Sequence, residues 1–255
     1  MKTRNVLAIS GNDIFSGGGL HADLATYVVN KLHGFVAVTC LTAMSDKGFE
    51  VIPIEASILK QQLESLKDVE FGSIKLGLLP NVETAQVVLE FVKSKQECPV
   101  VLDTVLVCKE NHDLEVSQLR EQLIAFFPYA DVITPNLVEA QLLTGLSIEN
   151  LDQMKIAAEK LYDMGAKHVV IKGGNRLNAE EATDLYYDGE RFETYVFPVV
   201  DANNTGAGCT FASSIASQLA MGKNVEDAVK MSKGFVYQAI KASDKYGVVN
   251  IFRRF

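Results

Sequence analysis

The 255 residues of the chain are 48% hydrophobic and 22% charged, with a formal net charge of −8, and they fit a single domain over residues 1–255. Lysine and arginine are dispersed along the chain, which argues against a surface for nucleic acid or for an anionic membrane. No apolar run approaches the ~18 residues needed to cross a bilayer, and the N-terminal apolar stretch is too short for a signal peptide, so we expect a cytoplasmic protein.

Short apolar runs alternate with helical patterns over the first two thirds of the chain. The apolar runs predict strands buried on both faces. They lie at residues 5–10, 35–42, 72–76, 99–103, 131–134 and 167–172. The helical patterns lie at residues 20–32, 57–66, 82–93, 114–126 and 151–164. This alternation predicts βαβ crossovers, and hence an α/β fold with a mainly parallel sheet and helices on both faces.

The pattern changes in the last third of the chain. Residues 183–187 and 191–197 flank Asp188-Gly189, a strong hairpin signal, which predicts an antiparallel piece in the sheet. Two long helices, at 206–221 and 225–242, are predicted to follow. Ligands of open α/β sheets bind at the carboxyl ends of strands, so the residues just after each strand are the candidates for function.

A glycine-rich turn precedes the first of these two helices. Gly206, Ala207 and Gly208 let the backbone fold tightly, so that free N–H groups and the positive end of the helix dipole point to one place. Such an anion hole would neutralise the γ-phosphate during phosphoryl transfer. A flexible turn before a packed helix is the alternative.

Cys209 is predicted in the first turn of the same helix. The helix dipole and the nearby N–H groups lower a thiol pKa from its usual ~8.5 at such a position. Cys209 is therefore a candidate base for the proton of a substrate hydroxyl. A buried cysteine that packs as a small hydrophobic residue is the alternative.

Acidic and amide side chains follow two of the predicted strands. Asn136 and Glu139 lie three residues apart at a helix start, hence on one face, and suit a hydrated Mg²⁺. Asp103 could add a second carboxylate. The alternatives are a capping box for the first two residues and a turn cap for Asp103. No cysteine or histidine spacing suits zinc.

Two further glycine segments are candidates for ligand contact. Lys172 ends a strand before Gly173-Gly174, which predicts a lysine at phosphate oxygens, with a solvated lysine as the alternative. The segment Gly17-Gly18-Gly19 matches neither common nucleotide-loop pattern. It predicts close approach of a small planar substrate, with Asp13 and Asp23 as hydrogen-bond partners. Asp23 as an ordinary helix-start acid is the alternative.

Taken together, these segments resemble the vitamin-kinase branch of the ribokinase-like fold, the hydroxymethylpyrimidine kinases and the similar pyridoxal kinases. The resemblance covers nearly the whole chain. It rests on residues 9–13, 17–19, 22–24, 75–79, 101–103, 134–140, 172–174 and 206–210. It implies a three-layer αβα ribokinase-like fold, ATP and Mg²⁺ as cofactors, and a homodimer.

The resemblance also implies roles for individual residues. Cys209 is the implied catalytic residue, and the amides of Gly206, Ala207 and Gly208 form the implied anion hole. The implied ATP and Mg²⁺ contacts are Lys172, Gly173, Asn136, Glu139 and Asp103. The implied substrate contacts are Asp13, Gly19, Asp23, Met44, Gly77 and Cys108. Cys108 matches a mobile lid over the substrate of pyridoxal kinases, where both cysteines can meet the substrate.

Departures from the family pattern bear on the substrate. Met44 stands where hydroxymethylpyrimidine kinases typically have a glutamine that pairs with the aminopyrimidine, which favours a pyridine ring. We therefore expect phosphorylation of the 5′-hydroxymethyl group of pyridoxal, pyridoxine or pyridoxamine. The alternatives are a hydroxymethylpyrimidine kinase, a dual-specificity enzyme, or a non-catalytic vitamin- or nucleotide-binding protein. Thr104, in place of the usual proline, is expected to loosen the turn after Asp103.

Overall fold

A computed structural model describes residues 4–46, 48–106 and 113–250 of the chain. Its strands are β1 (Asn5–Asn12), β2 (His33–Ser45), β3 (Gly48–Pro53), β4 (Ser73–Leu76), β5 (Val100–Leu102), β6 (Val132–Ile133), β7 (Val169–Lys172), β8 (Glu181–Tyr187) and β9 (Phe192–Pro198). Its helices are α1 (Gly19–Val29), α2 (Ala56–Ser65), α3 (Val82–Lys93), α4 (Asp113–Ile124), α5 (Leu137–Thr144), α6 (Leu151–Asp163), α7 (Ala207–Ala220) and α8 (Val225–Lys241).

The strands of the described ranges form one sheet in the order β3-β2-β1-β4-β5-β6-β7-β8-β9. The six strands from β2 to β7 in this order pair in parallel. The β8–β9 hairpin continues the sheet in the antiparallel direction after β7. The predicted α/β fold, with a mainly parallel sheet and an antiparallel hairpin, is therefore confirmed.

Helices cover both faces of the sheet because the side chains of successive strand residues point to opposite faces. In β1, Leu7 and Ile9 pack into the core beneath α2 to α6, whereas Val6 and Ala8 pack against α1, α7 and α8. The residues of β5 and β7 alternate between the same two cores. This arrangement gives the three layers that the resemblance implies.

One strand was not predicted. β3 pairs antiparallel with an extended β2, which runs to Ser45 rather than ending at residue 42. Leu41, Phe49 and Ile52 on this pair are exposed, as is Met44. The pair therefore lacks the contrast between buried apolar and exposed polar positions on which a strand prediction depends.

The described ranges contain no helix that is long and apolar enough to cross a membrane.

Candidate active site

The carboxyl ends of the parallel strands bring most of the predicted residues to one edge of the sheet. Gly77 follows β4, Asp103 follows β5, Asn136 lies just beyond β6, and Lys172 ends β7. A cleft of about 510 Å³ opens beside this edge. Five of the predicted residues line it: Asn136, Lys172, Gly173, Ala207 and Gly208. Its far wall is largely apolar and includes Phe197, Val199, Val236, Tyr237 and Ile240.

Lys172 connects the sheet edge to the glycine turn before α7. Its Nζ lies 2.9 Å from Oδ1 of Asp103. A β-carbon built on Gly208 would lie 3.4 Å from the same Nζ. Burial acts to lower the pKa of Lys172, but Asp103 and Glu139 raise it above its usual value, so the ammonium group stays charged. A positive charge therefore stands between the acidic residues and the turn.

Asp103 and Glu139 place two buried carboxyl groups next to Lys172. Lys172 and Lys75 hold the pKa of Asp103 below its usual value, against the effect of burial. Burial raises the pKa of Glu139 to about 6, and the charge of Asp103 adds to this effect while Lys172 opposes it. The ionised pair thus carries more negative charge than its surroundings neutralise.

A cation bound here would relieve that excess charge. Oδ1 of Asp103 and Oε2 of Glu139 are engaged by neighbouring groups, while within the described ranges their other carboxylate oxygens have no hydrogen bond. No cluster of three or more His, Cys, Asp or Glu residues suited to a metal occurs in these ranges. Two carboxylates fit Mg²⁺, which keeps several waters and takes few protein ligands.

Asn136 has the capping role that was the alternative for this segment. Its Oδ1 accepts a hydrogen bond from the backbone N–H of Glu139 at 3.0 Å, and Oε2 of Glu139 accepts one from the backbone N–H of Asn136 at 2.8 Å. The amide oxygen of Asn136 is thus used within the helix cap. Asn136 reaches the cleft beside α5, where it is held rigidly.

Thr104, which is expected to loosen the turn after Asp103, has a hydrogen-bond partner there. Thr104 is fully buried, and its hydroxyl donates a hydrogen bond to Oε2 of Glu139 at 3.2 Å. The backbone N–H of Val105 also bonds to the carbonyl of Asp103 at 2.9 Å. A hydroxyl at this position replaces the rigidity of a proline ring with a hydrogen bond.

The turn before α7 requires glycine at its first position. Gly206 has a φ of +80°, and a β-carbon there would lie 1.6 Å from the carbonyl oxygen of Gly17. The amides of Gly208 and Cys209 have no backbone acceptor among the described residues, whereas the N–H of Ala207 bonds to the carbonyl of Asn204 at 3.0 Å. The Ala207 amide is therefore not free for an anion, contrary to expectation.

A segment near the end of the chain packs against this turn, and we call residues 244–248 the C-terminal clasp. The N–H of Val248 bonds to the carbonyl of Thr205 at 3.0 Å. A β-carbon on Gly247 would lie 2.6 Å from the same oxygen. One on Gly17 would lie 2.4 Å from the carbonyl oxygen of Tyr246. Three backbone segments thus meet at the turn, and the sequence prediction missed the clasp.

The expected low pKa of Cys209 is wrong. Cys209 lies in the first turn of α7, as predicted, and the backbone N–H of Gly19 acts to lower the pKa of its thiol. Burial nevertheless raises the pKa of its thiol to about 11, and the charge of Lys75 offsets this only in part. The thiol is therefore neutral in the free protein.

Asp23 is not available to a substrate, which corrects its predicted role. It is fully buried, and both of its carboxylate oxygens accept hydrogen bonds from Nζ of Lys75, at 2.9 and 3.0 Å. The carboxylate of Asp13 binds local backbone N–H groups. Its two oxygens accept the backbone N–H groups of Phe15 and Gly18, at 3.0 and 2.9 Å, which orders the loop that leads to Gly19.

The remaining predicted substrate residues are Gly77, Met44 and Cys108. A β-carbon on Gly77 would lie 2.1 Å from Oγ of Ser10, so this position gives bare backbone at the end of β4. Met44 is 57% exposed near the end of β2 and lines neither this cleft nor a second one of about 610 Å³ beside Leu78 and Val105. Cys108 lies outside the described residues.

Comparison with known proteins shows consistent similarity along the chain. The sequence model of the phosphomethylpyrimidine kinase family matches residues 13–251. The pyridoxine kinase of Bacillus subtilis is 37% identical over 253 residues, which cover 95% of this chain and 92% of that protein.

Solved structures agree with this result. The ADP complex of Bacillus subtilis pyridoxal kinase is similar with a TM-score of 0.92 and 34% identity, covering 98% of each chain. The pyridoxal kinase of Staphylococcus aureus in complex with AMP-PCP and pyridoxal has a TM-score of 0.87 and 34% identity, covering 96% of this chain and 90% of that one.

We predict that Gly206→Ala lowers the rate of phosphoryl transfer by about 100-fold or more, because the side chain would displace the amides that are predicted to form the anion hole. The control is Gly222→Ala at the other end of α7. Gly222 has a φ of +85°, and a β-carbon there would meet only Nη1 of Arg4, at 3.7 Å. Steady-state kinetics should show the loss for Gly206→Ala alone. Equal losses in both variants would contradict the assigned role of the turn.

A second prediction concerns the pH dependence of stability. In metal-free buffer, Glu139→Gln should raise the free energy of unfolding above pH 6 by about 2 kcal/mol, because the pKa of Glu139 rises from its usual 4.5 to about 6 in the folded state. Below pH 4.5 the carboxyl is protonated in both states and the difference should vanish.

Urea unfolding at several pH values measures this difference, and Glu159→Gln on the exposed face of α6 is the control. A difference that does not change with pH would show that the charge on Glu139 is not destabilising.

Proposed function

The chain belongs to the phosphomethylpyrimidine kinase family, and we propose that it transfers the γ-phosphate of ATP to the 5′-hydroxymethyl group of pyridoxal, pyridoxine or pyridoxamine. Its fold is the ribokinase-like α/β fold of the similar pyridoxal kinases. The observation that carries the proposal is the position of Lys172, which contacts Asp103 and borders the turn at Gly208. Acids, lysine and free amides thus surround one place where a phosphate can lie.

The cleft beside Lys172 is the proposed ATP site. Gly173 and Gly208 leave the backbone bare next to the lysine, which allows phosphate oxygens to approach closely. The apolar wall formed by Phe197, Val236 and Tyr237 suits a nucleotide base. The Staphylococcus aureus relative has been solved with AMP-PCP and pyridoxal, which supports a site that takes both substrates together.

Mg²⁺ is proposed at Asp103 and Glu139, held partly through water. When bound there, the ion would neutralise charge on the phosphates of ATP. Lys172 is fixed by Asp103 and can contact phosphate oxygens from the sheet side. The amides of Gly208 and Cys209 would face the transferred phosphate from the helix side. The negative charge of the transferred phosphate would therefore be stabilised from both the sheet side and the helix side.

Cys209 is the proposed acceptor of the proton from the substrate hydroxyl. Its thiol pKa of about 11 means that only a small fraction is ionised near neutral pH. We therefore expect the rate to increase with pH as the thiolate fraction grows.

A hydroxymethylpyrimidine kinase is the second candidate function. The family whose sequence model matches is described by phosphomethylpyrimidine, which favours this substrate class. Met44 favours the pyridine ring instead, while similarity does not separate the two classes, since the Bacillus subtilis pyridoxine kinase is 37% identical and the Haemophilus influenzae hydroxymethylpyrimidine/phosphomethylpyrimidine kinase 38% identical. Met44 lines neither cleft, so its contribution to specificity stays a prediction.

A cytoplasmic homodimer is also proposed. The exposed apolar residues Leu41, Phe49 and Ile52 on the β2–β3 pair support association of two copies at this edge of the sheet. Analytical ultracentrifugation would test it.

The substrate assignment predicts turnover of the three B6 vitamers in an assay that couples ADP release to NADH oxidation. Hydroxymethylpyrimidine, tested at the same concentrations, should react with a lower kcat/KM. Turnover of the pyrimidine alone would refute the B6 assignment and leave the second candidate. Absence of turnover with every alcohol, together with thermal stabilisation by the ligands, would indicate a binding protein.

Cys209→Ala is predicted to lower kcat by about 100-fold or more and to remove the rise of the rate with pH, because the proposed base is lost. ATP affinity, measured by calorimetry, should stay close to wild type. Cys98→Ala is the control, since Cys98 is half-buried and contacts the carbonyl of Phe71, away from the site. An unchanged kcat in Cys209→Ala would remove the base from the mechanism.

A further inference from the structure

A buried ion pair lies beneath the proposed site and has no part in the mechanism so far. Nζ of Lys75 on β4 contacts both carboxylate oxygens of Asp23 on α1, and neither side chain has any exposed surface. A β-carbon on Gly77 would lie 2.8 Å from the same Nζ, so the ammonium group is just below the bare backbone at the end of β4. A charge pair is thus enclosed directly under the floor of the site.

The pair is also tied to the helix that carries Cys209. The hydroxyl of Ser213 donates a hydrogen bond to Oδ1 of Asp23. Ser213 lies four residues after Cys209 on α7, so both side chains share one face of the helix. The hydrogen bonds from Lys75 through Asp23 to Ser213 therefore fix the ammonium group relative to the thiol.

Charged groups on several neighbouring elements act on the pKa of the Cys209 thiol. They are Lys75 from β4, Lys172 from β7, Asp103 from the end of β5 and Asp23 from α1. Lys75 has the largest effect among those that act on the pKa of Cys209, and it favours the thiolate, whereas Asp103 and Asp23 oppose ionisation.

The ammonium group itself remains charged in this enclosed place. Burial acts to lower the pKa of Lys75, but Asp23, Cys209 and Asp103 together raise it above its usual value. A hydrophobic pair of the same volume would often be no less stable than such a buried ion pair, so the pair is not required for folding energy alone. A role in the site gives a physical reason for its presence.

We propose that Lys75 is a positioning residue for Cys209: held by Asp23 and Ser213, it places a permanent positive charge next to the thiol and stabilises its thiolate form. The inference deepens the proposed function, because it concerns the proposed proton acceptor. The reactivity of the thiol can be measured without turnover, so the inference about Lys75 and the proposed function can be refuted separately.

The test replaces both charges at once with Lys75→Met and Asp23→Leu, because removing one partner leaves the other charge buried and unpaired. The rate of alkylation of Cys209 by iodoacetamide is followed across the alkaline pH range in the nucleotide-free protein, and Cys209 is identified by peptide mass spectrometry. The midpoint of the profile should rise by about one pH unit or more, which is about tenfold less thiolate at a given pH below it.

The matched control is a second buried ion pair, Lys233–Asp184, with an Nζ to Oδ2 distance of 2.6 Å. In the double variant Lys233→Met and Asp184→Leu, the alkylation rate of Cys209 should depend on pH as it does in wild type. If the first double variant does not fold, Lys75→Gln with Asp23→Asn keeps a polar contact without the charges and should shift the profile in the same direction.

The inference would be overturned if the alkylation rate of Cys209 had the same pH dependence in the Lys75 and Asp23 variants as in wild type. An equal shift in the Lys233 and Asp184 control would also overturn it, since the effect would then be one of general loosening. A shifted profile in a protein that phosphorylates no alcohol would support the inference while refuting the proposed function.

Discussion

Lys172 and Asp103 meet at 2.9 Å on the carboxyl edge of the sheet, where neither side chain is exposed enough for water to screen it fully. This contact keeps the carboxyl of Asp103 ionised and the ammonium group charged despite burial. Burial raises the pKa of Glu139 to about 6, and Lys172 opposes this effect only in part. The charges of the site are consequently fixed before any ligand arrives, which is the preorganisation that the proposed binding of phosphates and a cation requires.

Much of the fold could be predicted from the sequence because the buried strands carry an unmistakable apolar pattern. The runs that became β1, β4, β5 and β7 are buried on both faces, so their composition alone identifies them. β3 escaped prediction because its residues are half-exposed and it ends in proline. The strand that carries Lys75 was predicted, but its ion pair was not, since the partner Asp23 lies on a different element.

The residues of the candidate site could be predicted better than their chemistry. The order of the strand ends was enough to bring Asp103, Glu139 and Lys172 together, because parallel strands deliver their carboxyl ends to one edge. The ionisation of Cys209 depends instead on how deeply it is enclosed, and burial outweighs the helix position that the sequence shows. The contact of Asp23 with Lys75 likewise follows from packing between α1 and β4, which local sequence does not encode.

The C-terminal clasp has a consequence for how the protein is made. The turn at Gly206 packs against Gly17, but the carbonyl of Thr205 acquires its hydrogen-bond partner only from Val248, in a segment that the ribosome adds after every strand of the described sheet. A nascent chain can therefore hold every strand of the described sheet while the turn before α7 still lacks one of its packing neighbours. The turn is complete only when residues 246–248 have been added.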